Sequence, residues 1–141
     1  MTRRAVRVLA SVVPLAAVVA AMTAAPAQAA SFSGCTAHAC AGVNNYRYWP
    51  TGGGWYTADI SLPYLNDLKK NDGYSPTLRI VYTNPNGVQR LYIRDWDNGT
   101  ITYHDDKYLL QVKNLYFEVC HLDNGHGTLT CRRMSQTSAL S

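Results

Sequence analysis

TLRIVYTNPNGVQRLYIRDWDNGTITYH, residues 77–104, decides the fold class. Apolar and polar residues alternate through Thr77–Thr83 and again through Val88–Trp96, the period of a half-buried strand. Asn84-Pro85-Asn86-Gly87 separates the two runs as a turn. Asp97-Asn98-Gly99-Thr100 follows as a second, with Asn-Gly the favoured centre of a two-residue hairpin. The pattern predicts a three-stranded antiparallel meander, completed by Ile101–His104, with Val88–Trp96 in the middle. A bulge at Gly87 would slip the first register by one residue. The unslipped register sets Ile80 beside Leu91 and Leu78 beside Ile93, so it is preferred. The second hairpin then places Tyr103 opposite Arg94 and Ile101 opposite Trp96.

Downstream, Asp123-Asn124-Gly125-His126-Gly127 is another strong turn. Folding there with Cys120 opposite Cys131 also aligns Leu122 with Leu129 and Glu118 with Arg133, three favourable cross-strand pairs on one side. Lys107–Leu122 fits a helix by the spacing of Leu109, Val112, Tyr116 and Val119. It fits a strand by its Val, Tyr and Phe content. Upstream, Trp55–Leu62 alternates as a strand. Residues 61–73 read as a short helix: Ser61 caps it, Pro63 opens it, Tyr64, Leu65 and Leu68 form a stripe, Lys69 and Lys70 suit its last turn, and Gly73 ends it. The expected fold is mainly β (α+β), a small antiparallel sheet or sandwich of about five to seven strands with one short helix and two disulfides.

The N-terminus sets the compartment. Arg3, Arg4 and Arg7 precede an uncharged run from Val8 to Met22, and Ala27-Gln28-Ala29 offers a small-x-small cleavage site. These are the parts of a secretory leader, and the run is shorter than the ~20 residues a membrane helix needs. The division expected is a signal peptide at 1–29, one β-rich domain at 30–134 that begins with a loose end at 30–34, and a flexible tail at 135–141. Removing the leader leaves ten basic and nine acidic residues, formally +1. The basic character of the whole chain therefore gives no case for nucleic acid or for a membrane partner after cleavage. Four cysteines in an exported chain read as two disulfides. Their spacing does not match zinc sites. The hairpin selects Cys120–Cys131 and leaves Cys35–Cys40 closing a tight loop.

Residues with chemical potential are few. On the meander, Tyr92, Arg94, Trp96 and Tyr103 share the outward face. Exposed Trp, Tyr and Arg anchor protein interfaces, and the rings also stack on sugars. Trp49 and Trp55 join them as binding candidates, although the alternative is that this N-terminal segment packs over the face as core. Asp95–Gly99 is better explained as a turn than as a calcium loop, because Gly falls at the fifth position and no helix flanks it. No metal or cofactor is expected. The chain lacks Gly-x-Ser-x-Gly, His-Glu-x-x-His and a phosphate-cradling glycine loop. A nuclease could use Glu118 as base, His104 or His121 as acid and Arg90 or Arg94 on phosphate. Glu118 and His121, however, lie an odd number of residues apart and point to opposite sides of a strand.

In its layout of an Arg- and Ala-rich leader, a small mature domain and cysteine pairs near both ends, the chain resembles small exported proteins of actinobacteria. The adaptor subunits of umbrella-type toxin particles have this layout. Tyr46-Arg47-Tyr48-Trp49 is similar to the Trp-Arg-Tyr element of two-disulfide amylase inhibitors, with a different residue order and different cysteine spacing. No site residue is carried over from either group. A nearly neutral, aromatic-rich mature chain poor in catalytic groups points to a secreted, non-catalytic domain that binds another protein through the aromatic face or a sheet edge. The resemblance implies a subunit or adaptor of an extracellular assembly or an inhibitor. A carbohydrate or cell-wall binder using Trp49, Trp55 and Trp96, and a small secreted hydrolase such as a ribonuclease, are the alternatives.

Overall fold

The computed structural model describes residues 29–137. The leader expected at 1–29 therefore lies outside the described residues except for its last, as do residues 138–141 of the expected tail. Nine strands account for almost the whole described chain: β1 (Ala30–Cys35), β2 (Ala39–Gly52), β3 (Trp55–Asp67), β4 (Tyr74–Asn84), β5 (Gly87–Arg94), β6 (Ile101–Tyr103), β7 (Lys107–Asp123), β8 (Thr128–Arg133) and β9 (Ser135–Thr137). Every pairing is antiparallel. The order along the sheet is β5-β4-β7-β3-β2-β1-β9, with β6 beside β3 and β8 beside β7.

Strand β7 makes this one sheet into two layers. Its first part pairs with β3 and its second part with β4. Gln111 and Asn114, on either side of the change of partner at Val112–Lys113, take left-handed backbone, which breaks the pleat and turns the strand from one layer into the other. The inner faces meet in one core: Ala41, Val43, Ile60 and Leu65 from the β2–β3 layer, and Leu78, Ile80, Phe117 and Val119 from the β4–β7 layer. The Phe117 ring sits 4.9 Å from Phe32 and 5.3 Å from Tyr46, tying the layers together.

The first hairpin has the register read from sequence, with Ile80 against Leu91 and Leu78 against Ile93 and no shift down to Asn84–Gly87. The β7–β8 hairpin also matches, pairing Cys120 with Cys131, Leu122 with Leu129 and Glu118 with Arg133. Both disulfides form as expected. Lys107–Leu122 is strand throughout.

Four expectations are corrected. Residues 61–67 continue β3 and form no helix, and no helix occurs among the described residues. Leu62 has φ 48°, which slips the inward phase by one: Ala58 and Ile60 point in before it, Pro63 and Leu65 after it. A phase slip in a strand leaves apolar residues three apart, and that spacing imitates a helix. Second, β6 does not return along β5. Asp67 accepts from the Gly99 amide at 2.7 Å, its own amide donates to the Thr100 carbonyl, and Asp97 accepts from the Gly73 amide at 2.9 Å. These bonds draw the 95–100 loop across to the other layer, where β6 pairs Tyr103 with Tyr64. Tyr103 is therefore not opposite Arg94, nor Ile101 opposite Trp96, and β5 is an edge rather than a central strand. Third, there are nine strands rather than five to seven. Fourth, the ends are ordered into strands: β1 begins at Ala30, and Ser135–Thr137, read as the start of the tail, pairs with β1.

Candidate functional site

The two layers present their outer faces in opposite directions, and the expected binding residues divide between them. Trp49, Trp55 and Tyr103 lie on the β2–β3 layer. Tyr92, Arg94 and Trp96 belong to the β4–β5 layer.

On the first layer, Tyr46-Arg47-Tyr48-Trp49 sends alternate residues to alternate faces. Tyr46 and Tyr48 turn inward, where Tyr48 stacks on Tyr56 with centroids 4.4 Å apart. Burial, reinforced by neighbouring Tyr48, raises the Tyr46 phenol above its ordinary value, and burial then Tyr56 raise Tyr48, so both stay protonated. Arg47 and Trp49 turn outward. The Trp49 ring is 6.2 Å from Tyr108, and Lys113 stands 4.5 Å above Trp55. Leu110 occupies the β-bulge opposite Tyr56–Ala58 and lines a depression of about 310 Å³ with Trp55 and Thr57. Further along, Tyr64 lies over Gly42 so closely that a Cβ there would stand 2.1 Å from its ring, and Tyr103 is 6.0 Å from Tyr64. Five large apolar side chains of this face are more than half exposed: Leu110 64 %, Tyr103 62 %, Tyr108 61 %, Ile101 56 % and Leu62 55 %.

The second layer's outer face is cationic. The register sets Tyr92, Arg79, Glu118 and Arg133 in one row across β5, β4, β7 and β8. Arg79 donates to Glu118, the only acid in that row, and the bond raises the guanidinium further above its ordinary value. The pairing expected between Glu118 and Arg133 gives way to this one, and Arg133 instead stands 4.2 Å above Tyr116. Arg94 is 5.3 Å from the Tyr92 ring, and Arg90 lies one alternate position away. Trp96 is 82 % exposed at the end of the strand, beside an open cleft of about 640 Å³ bordered by Ser75, Arg94 and Leu122.

The acidic and imidazole groups sit elsewhere. Carboxylate oxygens of Asp67, Asp72 and Asp97 lie within 4.8 Å of one another, a set that could gather a cation. Each is already engaged: Asp67 by the Lys69 and Gly99 amides, Asp97 by the Asp72 and Gly73 amides, and Asp72 by the Tyr74 amide and His38 Nδ1. The trio pins the loops 67–74 and 95–100 together. Burial of Asp72 is outweighed by its bonds to His38 and Tyr74, which hold its carboxyl below the usual range. His38 stacks on Tyr74 at 3.8 Å, with His121 edge-on at 4.8 Å. Burial, then the charge of His38, lowers the His121 imidazole, whose Nδ1 has no hydrogen-bond partner.

Glu118 and His121 point to opposite sides of β7, and the His104 amide donates to the Pro63 carbonyl beside β3. The residues named for a nuclease are thus not gathered around Glu118. Sequence reading missed Tyr108, Leu110, Ile101 and Leu62 on one face, and Arg79, Arg133 and Tyr116 on the other. Their outward phase depends on the bulges in β3 and β7 and on which strands are neighbours. No protein family, curated protein or solved structure matches this chain.

Proposed function

We propose that this chain is an exported, non-catalytic domain that binds another protein through the outer face of its β2–β3 layer. The observation that carries the reading is the set of five apolar side chains there, each more than half exposed, flanked by Trp49 and Trp55. Large apolar side chains gathered exposed on one face are costly to leave in water, and such surfaces serve as interaction sites. Tyr and Trp supply large contact area with little rotamer freedom to lose, as binding hot spots require. Export is supported by the leader sequence and by four cysteines paired in two disulfides. Among the described residues no helix is long and apolar enough to cross a membrane. A subunit or adaptor of an extracellular assembly fits these features, as does an inhibitor.

The test is recovery of a stoichiometric partner from culture supernatant with purified protein as bait. Tyr108→Ser with Leu110→Ser abolishes recovery on this reading, while Arg132→Ser on the other layer does not. A monodisperse monomer with no partner counts against it. The proximity of Trp49 and Tyr108 on a sheet face also favours sugar stacking as a second reading. Retention on chitin or peptidoglycan, lost in Trp49→Ala, would support that instead. Trp96, expected in the same platform, lies on the opposite layer.

A further inference from the structure

Strand β5 is the longest edge of the sheet, eight residues without a proline or a bulge. The other edge strands are β8, with six residues, and β6 and β9, with three each. Hydrogen bonding across β4–β5 fixes which backbone groups are free. Asn84 opposes Gly87 across a two-residue turn, and the Asp95 amide donates to the Pro76 carbonyl. Residues 87, 89, 91, 93 and 95 therefore face β4. The amides and carbonyls of Val88, Arg90, Tyr92 and Arg94 point away from the sheet and meet no backbone partner among the described residues.

The side chains of these same four residues project on the cationic face. Val88, Arg90, Tyr92 and Arg94 are all exposed there, while Leu91 and Ile93 turn toward the core side. The only carboxylate in the neighbouring row, Glu118, is held by Arg79. An incoming strand would meet guanidinium groups on its outer side and apolar side chains on its inner side.

We propose that β5 receives an extended segment of another protein as an added strand, with acidic and apolar side chains alternating along it. The free ladder groups would supply the backbone bonds, as in other strand-addition complexes. Arg90 and Arg94 would select acids at alternate positions, and Leu91 and Ile93 would accept the apolar ones. The periodic amide and carbonyl groups match another strand and not a sugar–phosphate chain. Antiparallel self-pairing of two β5 strands centred on Tyr92 would set Arg90 against Arg94, which disfavours a second copy in that register. The site is on the layer opposite the apolar face and stands independently of it.

The experiment titrates the full mature protein with a short capped peptide of alternating valine and glutamate, followed by amide hydrogen exchange. Binding should newly protect the amides of Val88, Arg90, Tyr92 and Arg94, leaving Gly87, Gln89, Leu91 and Ile93 unchanged. Methylating every second peptide nitrogen should abolish binding for the set that faces β5 and spare the other set. Arg90→Glu with Arg94→Glu should weaken binding by about tenfold or more. Equal binding of a valine–lysine peptide, or binding without protection of the four amides, overturns the proposal. So does no binding at all, or protection of the same amides by raised protein concentration alone, which would assign the edge to a second copy. Apolar-face variants such as Tyr108→Ser should leave this titration unaltered.

Discussion

Removing the two disulfides one at a time should give unequal losses. The perturbations are Cys120→Ala with Cys131→Ala, and Cys35→Ala with Cys40→Ala. The bonds span sequence separations of 11 and 5. Chain-entropy arithmetic assigns them about 2.8 and about 2 kcal/mol through the unfolded state. Cys120 is fully buried on the Glu118 side of β7, whereas Cys35 is exposed, so truncating Cys120 adds about 1 kcal/mol of lost packing. The expected costs are therefore about 4 and about 2 kcal/mol, out of the roughly 5–15 kcal/mol usual for a domain of this size. Urea unfolding followed by tryptophan fluorescence measures both. The midpoint should fall further for the Cys120/Cys131 variant, and its m-value should rise because the unfolded chain expands. Equal losses, or a larger loss from Cys35/Cys40, would refute both the loop argument and the packing assigned to the buried Cys120.

Two more outcomes follow from the core and its margin. Phe117→Ala removes the ring that bridges Phe32 and Tyr46 and should cost about 3–5 kcal/mol in the same urea assay, whereas Phe117→Leu should cost under half of that. His121 is held below the ordinary imidazole value of 6.5, so the unfolded chain takes up its proton first. Stability should be level above about pH 6.5 and fall as pH drops below it, with a slope of at most about 1.4 kcal/mol per pH unit. His121→Phe should remove that step. The separate loss below about pH 3.8, from Asp72 and Asp123 whose carboxyls are held low, should remain, and a pH series of unfolding midpoints would reveal it.

What could be read from the sequence was local. The β4–β5 and β7–β8 hairpins each follow from a turn sequence and matched alternation within about 15–20 residues, so register and one disulfide came with them. What could not be read depended on distant bonds. Nothing near Asn98-Gly99 reveals that Asp67, 32 residues upstream, holds the Gly99 amide. That bond converts an apparent hairpin into a crossover between layers, and with it Tyr103 leaves the face of Arg94. The helix misread at 61–73 has a different cause. One left-handed residue, Leu62, shifts the inward phase of a strand, and a periodicity argument cannot separate that shift from a helical turn. The candidate site was obscured in the same way, since Tyr108 faces outward through its pairing with distant Asp59 and Leu110 through the bulge opposite Tyr56–Ala58.

The formal charge of +1 over residues 30–141 conceals how the charges are arranged. Arg79, Arg90, Arg94 and Arg133 share one outer face with a single carboxylate, while five mostly exposed apolar side chains occupy the opposite face. Net charge averages over faces and so says nothing about partner chemistry when a fold segregates its charges. An inhibitor needs one surface complementary to one target. A subunit that joins two components needs two surfaces, facing apart and different in chemistry so that the components are not exchanged. On the proposed reading, the two layers favour the adaptor over the inhibitor. The two binding experiments separate these roles: independent loss of an apolar-face partner and of the β5 peptide, each by its own variants, is the behaviour of an adaptor, whereas one surface silent under every probe leaves only an inhibitor's single face.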